Sequence, residues 1–409
     1  MTSTDSTDVL IIGGGVAGAA AAKTLREGGF EGRIVLVTRE LDAPYHRPPG
    51  SKEHLRGEAS HDDALVVPAA WWTEHDVDLR LRTSVLSLDT DEKVAKLQTK
   101  ELLSYDRALV ATGAMVRRLK AEGTGHHGIH YLRSLRNADA IREDLAEVGK
   151  DAKVVLVGGS YIGTEVAASL ASEGYAVTVL MQEDEPLERS FGAEVGAWVR
   201  ARLTQHGVEV RGGVEVEAFT GEDPEDGKSR VTAVRLADGS TVDASVVVVG
   251  VGATPDVMLA KKAGLELGES GGAIADDRLR SSAEGVWLAG DVCEYASSLH
   301  GGRVRIEHED VAEQQGAFVA RQWLGEDEPY AVVPYFFSDL SDWLSLESVS
   351  VTHGRPFDGT RIEGSLDDDA FAVWLLDGDR AVGYASFNGA GDLDAAREVL
   401  RSGGPVPSA

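Results

Sequence analysis

The chain is expected to be an α/β protein with two dinucleotide-binding units, each a strand–turn–helix–strand repeat, and a smaller C-terminal α+β domain. Three observations carry this expectation. An apolar strand, Asp8-Val9-Leu10-Ile11-Ile12, runs straight into Gly13-Gly14-Gly15-Val16-Ala17-Gly18, a G-x-G-x-x-G turn, and then into an alanine-rich helix. The same order returns at Lys153-Val154-Val155-Leu156-Val157 and Gly158-Gly159-Ser160-Tyr161-Ile162-Gly163. Beyond Pro329 no such turn occurs, and the pattern changes to period two in Phe371-Ala372-Val373-Trp374-Leu375-Leu376 and again over 381–387.

The three glycines of the first unit serve different ends. One allows a tight turn, one lets backbone approach a pyrophosphate closely, and one lets helix pack closely on strand. The helix from Ala19 to Arg26 offers free N–H groups and the positive end of its dipole to the phosphates. A second strand, Ile34 to Val37, leads to Glu40, placed where an acid accepts a bond from the adenosine ribose. Pro44-Tyr45-His46-Arg47-Pro48-Pro49-Gly50-Ser51-Lys52 follows as a marked loop.

The stretch ALVVPAAWWTEH reads as a helix and Asp78 to Arg82 as a strand. Val85 to Leu97 alternates as a hairpin does, and Tyr105 to Val110 is a buried strand ending in Ala111-Thr112-Gly113, where backbone can pass close to a ligand. His54 and His61 have no metal-like spacing, and Asp62 and Asp63 do not complete a site. His126, His127 and His130 read as a solvated loop, so no metal is expected. Near Met115 the composition turns basic and glycine-bearing, which marks a domain crossing.

The second unit has a looser fingerprint, with Ser160 at the middle glycine, a helix from Thr164 to Glu173 and a strand from Ala176 to Leu180. The acid expected at that strand's end is absent. Met181 and Gln182 stand there, then Glu183, Asp184 and Glu185, with no base before Arg189. Three carboxylates repel a 2′-phosphate, so NADH is expected over NADPH. Val208 to Val216, Arg230 to Leu236 and Thr241 to Val249 read as strands, the last two joined by a hairpin turn at Asp238-Gly239. The acidic loop from Gly221 to Ser229 reads as a mobile tip. Val286 to Asp291 is a further strand with a Gly-Asp end, and a helix runs from Glu307 to about Leu324. Tyr335-Phe336-Phe337 suits either a core or a cofactor cover. A last helix spans Leu393 to Arg401.

At 409 residues the chain has room for two or three domains. Its formal charge of −28, from 68 acidic against 40 basic residues, repels nucleic acid and anionic membrane, so neither is expected as a partner. The longest apolar run, near Val246 to Val251, is far short of the roughly 20 residues that span a bilayer. The start, MTSTDSTD, has no basic region, so no signal peptide is expected. A lone cysteine, Cys293, excludes an internal disulfide or a C-x-x-C pair and suits a reducing, cytoplasmic location.

In chain order, PYHRPPGSK, GGSYIGTE, VGVGATPD, GVWLAGDV, RIEHEDVA and PYFFSDL form a set more specific than either glycine turn. Through it nearly the whole chain resembles the FAD- and NAD(P)H-dependent ferredoxin and rubredoxin (putidaredoxin-type) reductases. These are pyridine nucleotide-disulfide oxidoreductase-like proteins without the redox-active disulfide. The resemblance implies two Rossmann-like, glutathione-reductase-type domains. FAD would lie on residues 1–115 and 245–325, NAD on 116–244, and 326–409 would form an interface domain over the flavin. By position, Gly13, Gly15, Val16, Ala17 and Gly18 would hold the FAD pyrophosphate and Glu40 its ribose. Arg47, Lys52, Val85, Ala111, Thr112, Gly113, Gly290, Val311 and Phe337 would line its path, with Asp291 on the ribityl chain. Gly158, Gly159, Tyr161, Ile162, Gly163, Glu165 and Gln182 would form the NAD site, and Lys52 and Glu165 would be the catalytic pair. The chain departs from the family at Gly50, often leucine, at Phe337, usually tryptophan or tyrosine, and at Glu309, a tryptophan in several members.

The implied reaction is hydride transfer from nicotinamide C4 to flavin N5, followed by electron delivery to a ferredoxin-type acceptor. Many ferredoxins are acidic, and Arg278, Arg280, Arg303 and Arg305 are the residues that could form a basic docking patch. The alternatives are an NADH-dependent reductase of a quinone or organic radical, and a flavin redox sensor with little turnover, like some apoptosis-inducing-factor-like proteins. The expected assembly is a monomer or homodimer.

Overall fold

A computed structural model describes residues 5–222, 229–352 and 357–406. The apolar runs become the centres of two parallel sheets, as strands covered on both faces must. In the first, the strands Val77–Arg80, Ile34–Val37, Asp5–Ile12 and Leu102–Val110 lie side by side. Val286–Leu288 pairs in parallel with the far half of Leu102–Val110, and the hairpin Val85–Asp89/Val94–Leu97 pairs antiparallel with its near half. In the second sheet the order is Glu209–Arg211, Ala176–Leu180, Lys153–Val157, Val246–Val249 and Ile129–Tyr131, all parallel. Each sheet therefore places its glycine turn at the carboxyl end of a central strand, where open α/β sheets bind ligands.

The helices Val16–Glu27 and Glu309–Trp323 cross so closely that a Cβ on Gly316 would lie 1.9 Å from the Ala17 carbonyl oxygen. The chain leaves the first sheet through Ala114–Val116 and returns through Ala253–Pro255, and these two crossings pair antiparallel with each other.

The C-terminal segment forms a five-stranded antiparallel sheet in the order Tyr335–Leu340, Leu344–Ser350, Arg380–Phe387, Phe371–Asp377, Gly359–Gly364. The helix Leu393–Ser402, capped by Asp392, packs on it. One face of this sheet merges with the second unit's core. Trp198 meets Phe371 edge-on at 4.9 Å, and Phe191 meets Phe387 at 5.6 Å. That shared core fixes Tyr335–Leu340 against the helix Tyr161–Ser172.

Three expected elements differ. ALVVPAAWWTEH holds only one helical turn, Trp71–Glu74, because Pro68 interrupts the stretch and lacks an N–H for a helix interior. Val208 to Val216 splits into Glu209–Arg211 and a strand beginning at Val216, in different sheets; the break falls at Gly212-Gly213, with Gly213 at φ +67°. Thr241 to Val249 also divides, Thr241–Asp243 joining the antiparallel hairpin and Val246–Val249 the parallel sheet. The acidic tip expected over Gly221–Ser229 lies largely outside the described residues. Among the described residues no helix is long and apolar enough to cross a membrane.

Candidate active site

The two glycine turns are built alike. Gly13 has φ +129° and Gly158 φ +118°, and a Cβ would sit 2.0 Å from the Ala111 carbonyl oxygen in the first and 2.3 Å from that of Gly250 in the second. Only glycine fits either position. Gly18 and Gly163 face inward on the carbonyls of Gly13 and Gly158, so they set how closely helix packs on strand. Gly15 has nothing within 4 Å of its Cβ position. Gly15 and Ser160 begin their helices without a side-chain cap, whereas the helix Leu135–Val148 is closed by a Ser134/Asn137 capping box. The first-turn N–H groups of both glycine-turn helices are thus left for an anion.

One cavity of about 860 Å³ joins the two turns. The first unit lines it with Gly13, Gly15, Val16, Ala17, Glu40, Arg47, Lys52, Val85, Ala111, Thr112, Gly113, Gly290 and Asp291. The second contributes Ser160, Tyr161, Ile162 and Glu165, and the C-terminal sheet adds Tyr335, Phe336 and Phe337. The aromatic trio, compatible in sequence with core or cover, therefore faces the cavity. Six other expected residues do not line it: Gly18 and Gly163, which face the carbonyls of Gly13 and Gly158, and four more. Gly158 backs onto Gly250, Gly159 lies against Met181, Val311 is fully buried, and Gln182 is exposed.

Glu40 does not stand alone. Its carboxylate accepts from Tyr45 Oη (2.7 Å) and Arg47 Nη2 (2.5 Å), and Arg47 also donates to the Arg133 carbonyl (2.7 Å). Burial pushes the Glu40 carboxyl up, but Arg47 and Tyr45 outweigh it and hold the group below its ordinary value. Arg133 in turn donates to Asp291 at 2.7 Å. Tyr45 lies in the marked loop without a role assigned to it, and Arg133 belongs to no motif.

Lys52 is the centre of the far wall. Its side chain is only 8 % exposed, with Nζ 3.5 Å from Glu165 Oε1, 3.4 Å from Asp339 Oδ2 and 4.3 Å from the Phe337 ring centroid. Nζ is buried and makes no hydrogen bond of good geometry, and Lys52 lines the cavity. Such an orphaned buried donor, beside an uncapped helix start, fits a polar edge of a bound cofactor. Glu165 is held by Ser51 Oγ (2.5 Å) and Ser338 Oγ (2.6 Å). Burial pushes its carboxyl above the ordinary range, opposed by the Lys52 charge and the two hydroxyls. The triad Ser338, Asp339 and Glu165 joins segments far apart in sequence, so spacing could not reveal it. Tyr161 packs on Phe336 at 4.3 Å, and burial raises its hydroxyl to about 12.

Glu309 binds the lysine-bearing loop instead of presenting an aromatic face. Its carboxylate accepts from the Arg47 N–H (2.9 Å) and pairs with His46 Nδ1 (2.8 Å). The four arginines considered as a docking patch are engaged locally. Arg278 and Arg280 share Asp327, Arg305 pairs with Glu307, and Arg303 donates to the Ala275 carbonyl. In the second unit Arg189 pairs with Glu183 at 2.6 Å, and Met181 is buried beneath Gly159.

Two glycine-turn helices opening on one cavity, with a buried lysine in its lining, define a protein of the two-dinucleotide class. The pyridine nucleotide-disulphide oxidoreductase family model matches residues 7–316, and the chain belongs to that family. Its one cysteine, buried Cys293, leaves no pair for a disulphide. The chain is 32% identical to a rhodocoxin reductase of Rhodococcus erythropolis over 97% of its own length and 90% of the relative's. It is 34% identical to the ferredoxin–NAD(+) reductase component of a p-cumate 2,3-dioxygenase system of Pseudomonas putida, covering 97% and 94%. Among solved structures it is similar to putidaredoxin reductase in its covalent complex with putidaredoxin. The TM-score there is 0.90 at 30% identity, covering 98% of this chain and 94% of the other.

Proposed function

We propose that this protein is an NADH-dependent flavoprotein reductase that passes electrons through FAD to a ferredoxin-type iron–sulfur protein. The observation that carries the reading is one cavity lined by both open helix starts and by Lys52, which pairs with Glu165. We assign FAD to residues 1–115 and 245–325, NADH to 116–244, and the cover of the site to 326–409. The names of the relatives, a rhodocoxin reductase and a ferredoxin–NAD(+) reductase component, support a small iron–sulfur protein as acceptor.

When bound, the flavin supplies the chemistry that takes a hydride and releases single electrons. The chain's own residues bind and orient. The N–H groups after Gly15 meet one pyrophosphate and those after Ser160 the other. Glu40 and Arg47 hold the ribose end, and Asp291 with Arg133 the ribityl side. Lys52, flanked by Glu165 and Asp339, presents its ammonium to the reacting end of the site. Tyr161, Phe336 and Phe337 give that end an aromatic lining. NADH is favoured over NADPH because the bases around the second strand's end are each paired with a carboxylate: Arg189 with Glu183, Arg200 with Glu185 and Arg211 with Glu209. A cytoplasmic location suits the unpaired, buried Cys293.

The test is NADH-driven cytochrome c reduction against a panel of ferredoxins, with quinones run in parallel. Reduction that requires added ferredoxin supports the reading. Equal or faster turnover with quinones alone overturns it, and fast flavin bleaching is needed to exclude a sensor that does not turn over.

A further inference from the structure

We propose that His54, His61 and Asp139 form a divalent-cation site of zinc type, tying the lysine-bearing loop to the helix Leu135–Val148. Among the described residues they make the one group of three side chains whose ligand atoms lie within 4.8 Å of one another. His54 Nε2 is 2.9 Å from Asp139 Oδ1 and His61 Nε2 is 2.7 Å from Asp139 Oδ2. The two rings meet edge to face at 4.9 Å.

The orientation of His54 carries the argument. Its ring is only 2 % exposed, and Nδ1 lies 3.0 Å from the Ala59 carbonyl oxygen, which can only accept. The Asp139 carboxylate facing Nε2 also only accepts, so this ring is satisfied either by a proton on each nitrogen or by a proton on Nδ1 and a cation on Nε2. A ring N–H held by a backbone carbonyl is also how metal-ligating histidines are fixed in tautomer and direction. Two imidazoles and one carboxylate suit zinc and neighbouring divalent metals, at about 2.0–2.2 Å from each donor atom.

Closing to that radius needs the ligand atoms about 3.3 Å apart. The carboxylate contacts, one on each oxygen of Asp139, must therefore open while the ligand atoms, now within 4.8 Å of one another, draw together around the ion. His61 and Asp139, each 32 % exposed, have room to make this shift. Their exposure also gives an entry path and leaves a fourth position for water. Asp42, whose carboxylate is 3.9 Å from His61 Nδ1, can orient that ring from behind. His54 follows Lys52 by two residues on the turn Glu53–Arg56, while Asp139 belongs to a helix of the second unit. A bound ion would thus cross-link the two units beside the reacting end of the cavity. Spacing could not find this site, because Asp139 lies 78 residues from its nearer histidine.

The experiment is equilibrium dialysis of the flavin-loaded full chain against zinc chloride after chelator treatment, with metal analysis and a melting curve. The variants are His61→Ala and Asp139→Asn, with His75→Ala as a control elsewhere on the surface. Each variant is first checked for bound flavin and native circular dichroism, so that loss of folding is not mistaken for loss of a ligand. One equivalent of zinc should bind wild type and His75→Ala, with zinc raising Tm. Affinity should fall at least tenfold in the other two variants, and their Tm should not respond. Equal binding by all four proteins, or none by wild type, would overturn the proposal.

Discussion

Replacing Lys52 by methionine tests the site most sharply, because the structure sets limits on what must happen. Methionine keeps the length and apolar stem but removes a charge lying 3.5 Å from Glu165 and 3.4 Å from Asp339. Asp339 is 41 % exposed and can turn to water; Glu165, 5 % exposed, cannot. Removing one partner of a buried pair costs about 3–5 kcal/mol if the other stays charged. Glu165 has a way out, which is to take a proton. For a carboxyl at its ordinary 4.5 that costs about 3.4 kcal/mol at pH 7, at 1.36 kcal/mol per pH unit. Burial already raises this carboxyl, so the cost is smaller, and about 3 kcal/mol is a ceiling. The variant should melt a few degrees lower at pH 7, by roughly 2–4 °C per kcal/mol. The deficit should shrink as pH falls, because protons then neutralise Glu165. Adding Glu165→Gln should recover part of the loss, since an amide needs no counter-charge there. In anaerobic stopped flow with NADH, loss of a preorganised cation at the reacting end should slow flavin bleaching by roughly 10²-fold. An unchanged bleaching rate would refute the placement of Lys52 at that end. A double variant no more stable than Lys52→Met would refute the coupling to Glu165.

The remaining predictions concern other parts of the same framework. His46 is held above its ordinary value by its hydrogen bond to Glu309, so that stabilisation is full below about pH 6.5 and is lost as pH rises through the folded value. Glu309→Gln should therefore lose up to about 1 kcal/mol at pH 6 and less at pH 9, since the half-exposed pair is screened by water; urea melts at the two pH values check this. Glu183→Gln frees Arg189 for a 2′-phosphate and should raise kcat/KM for NADPH about 5–10-fold, roughly 1 kcal/mol, with NADH little changed. Cys293 is fully buried, and burial pushes its thiol up. An aromatic disulphide reagent should find no reactive thiol in the native protein at pH 8 and one after denaturation.

The parts of this molecule legible in its sequence are those where local chemistry and final structure agree. Gly13 and Gly158 are readable because a tight turn after an apolar strand needs glycine whatever surrounds it. Strand Ile34–Val37 keeps its expected limits because four apolar residues between turns have one way to be buried on both faces. Expectation fails where one run serves two sheets, as at Thr241 to Val249, since an apolar run carries no mark of which sheet receives each half. In the site, Lys52 and Glu165 are reached through family resemblance, but their partners Ser338 and Asp339 lie in the PYFFSDL stretch of the C-terminal sheet, which the resemblance marks without giving either residue a role. Tyr45 and Arg133 anchor Glu40 and Asp291 through hydrogen bonds that sequence does not show, since Tyr45's loop carries no mark of its partner and Arg133 belongs to no motif. His54 and His61 show no metal-like spacing because their third partner is a helix residue of the other unit.

The central claim, that both nucleotides meet in one cavity and serve an iron–sulfur acceptor, is tested most directly by sequential anaerobic mixing. NADH is added to the yellow protein first, and a reduced-flavin sample is then mixed with oxidised ferredoxin. Flavin colour should be lost rapidly with NADH and much more slowly with NADPH, and it should return at the rate at which the iron–sulfur chromophore is reduced. Flavin that stays oxidised in NADH, or reduced flavin that ferredoxin cannot reoxidise while a quinone can, would contradict it.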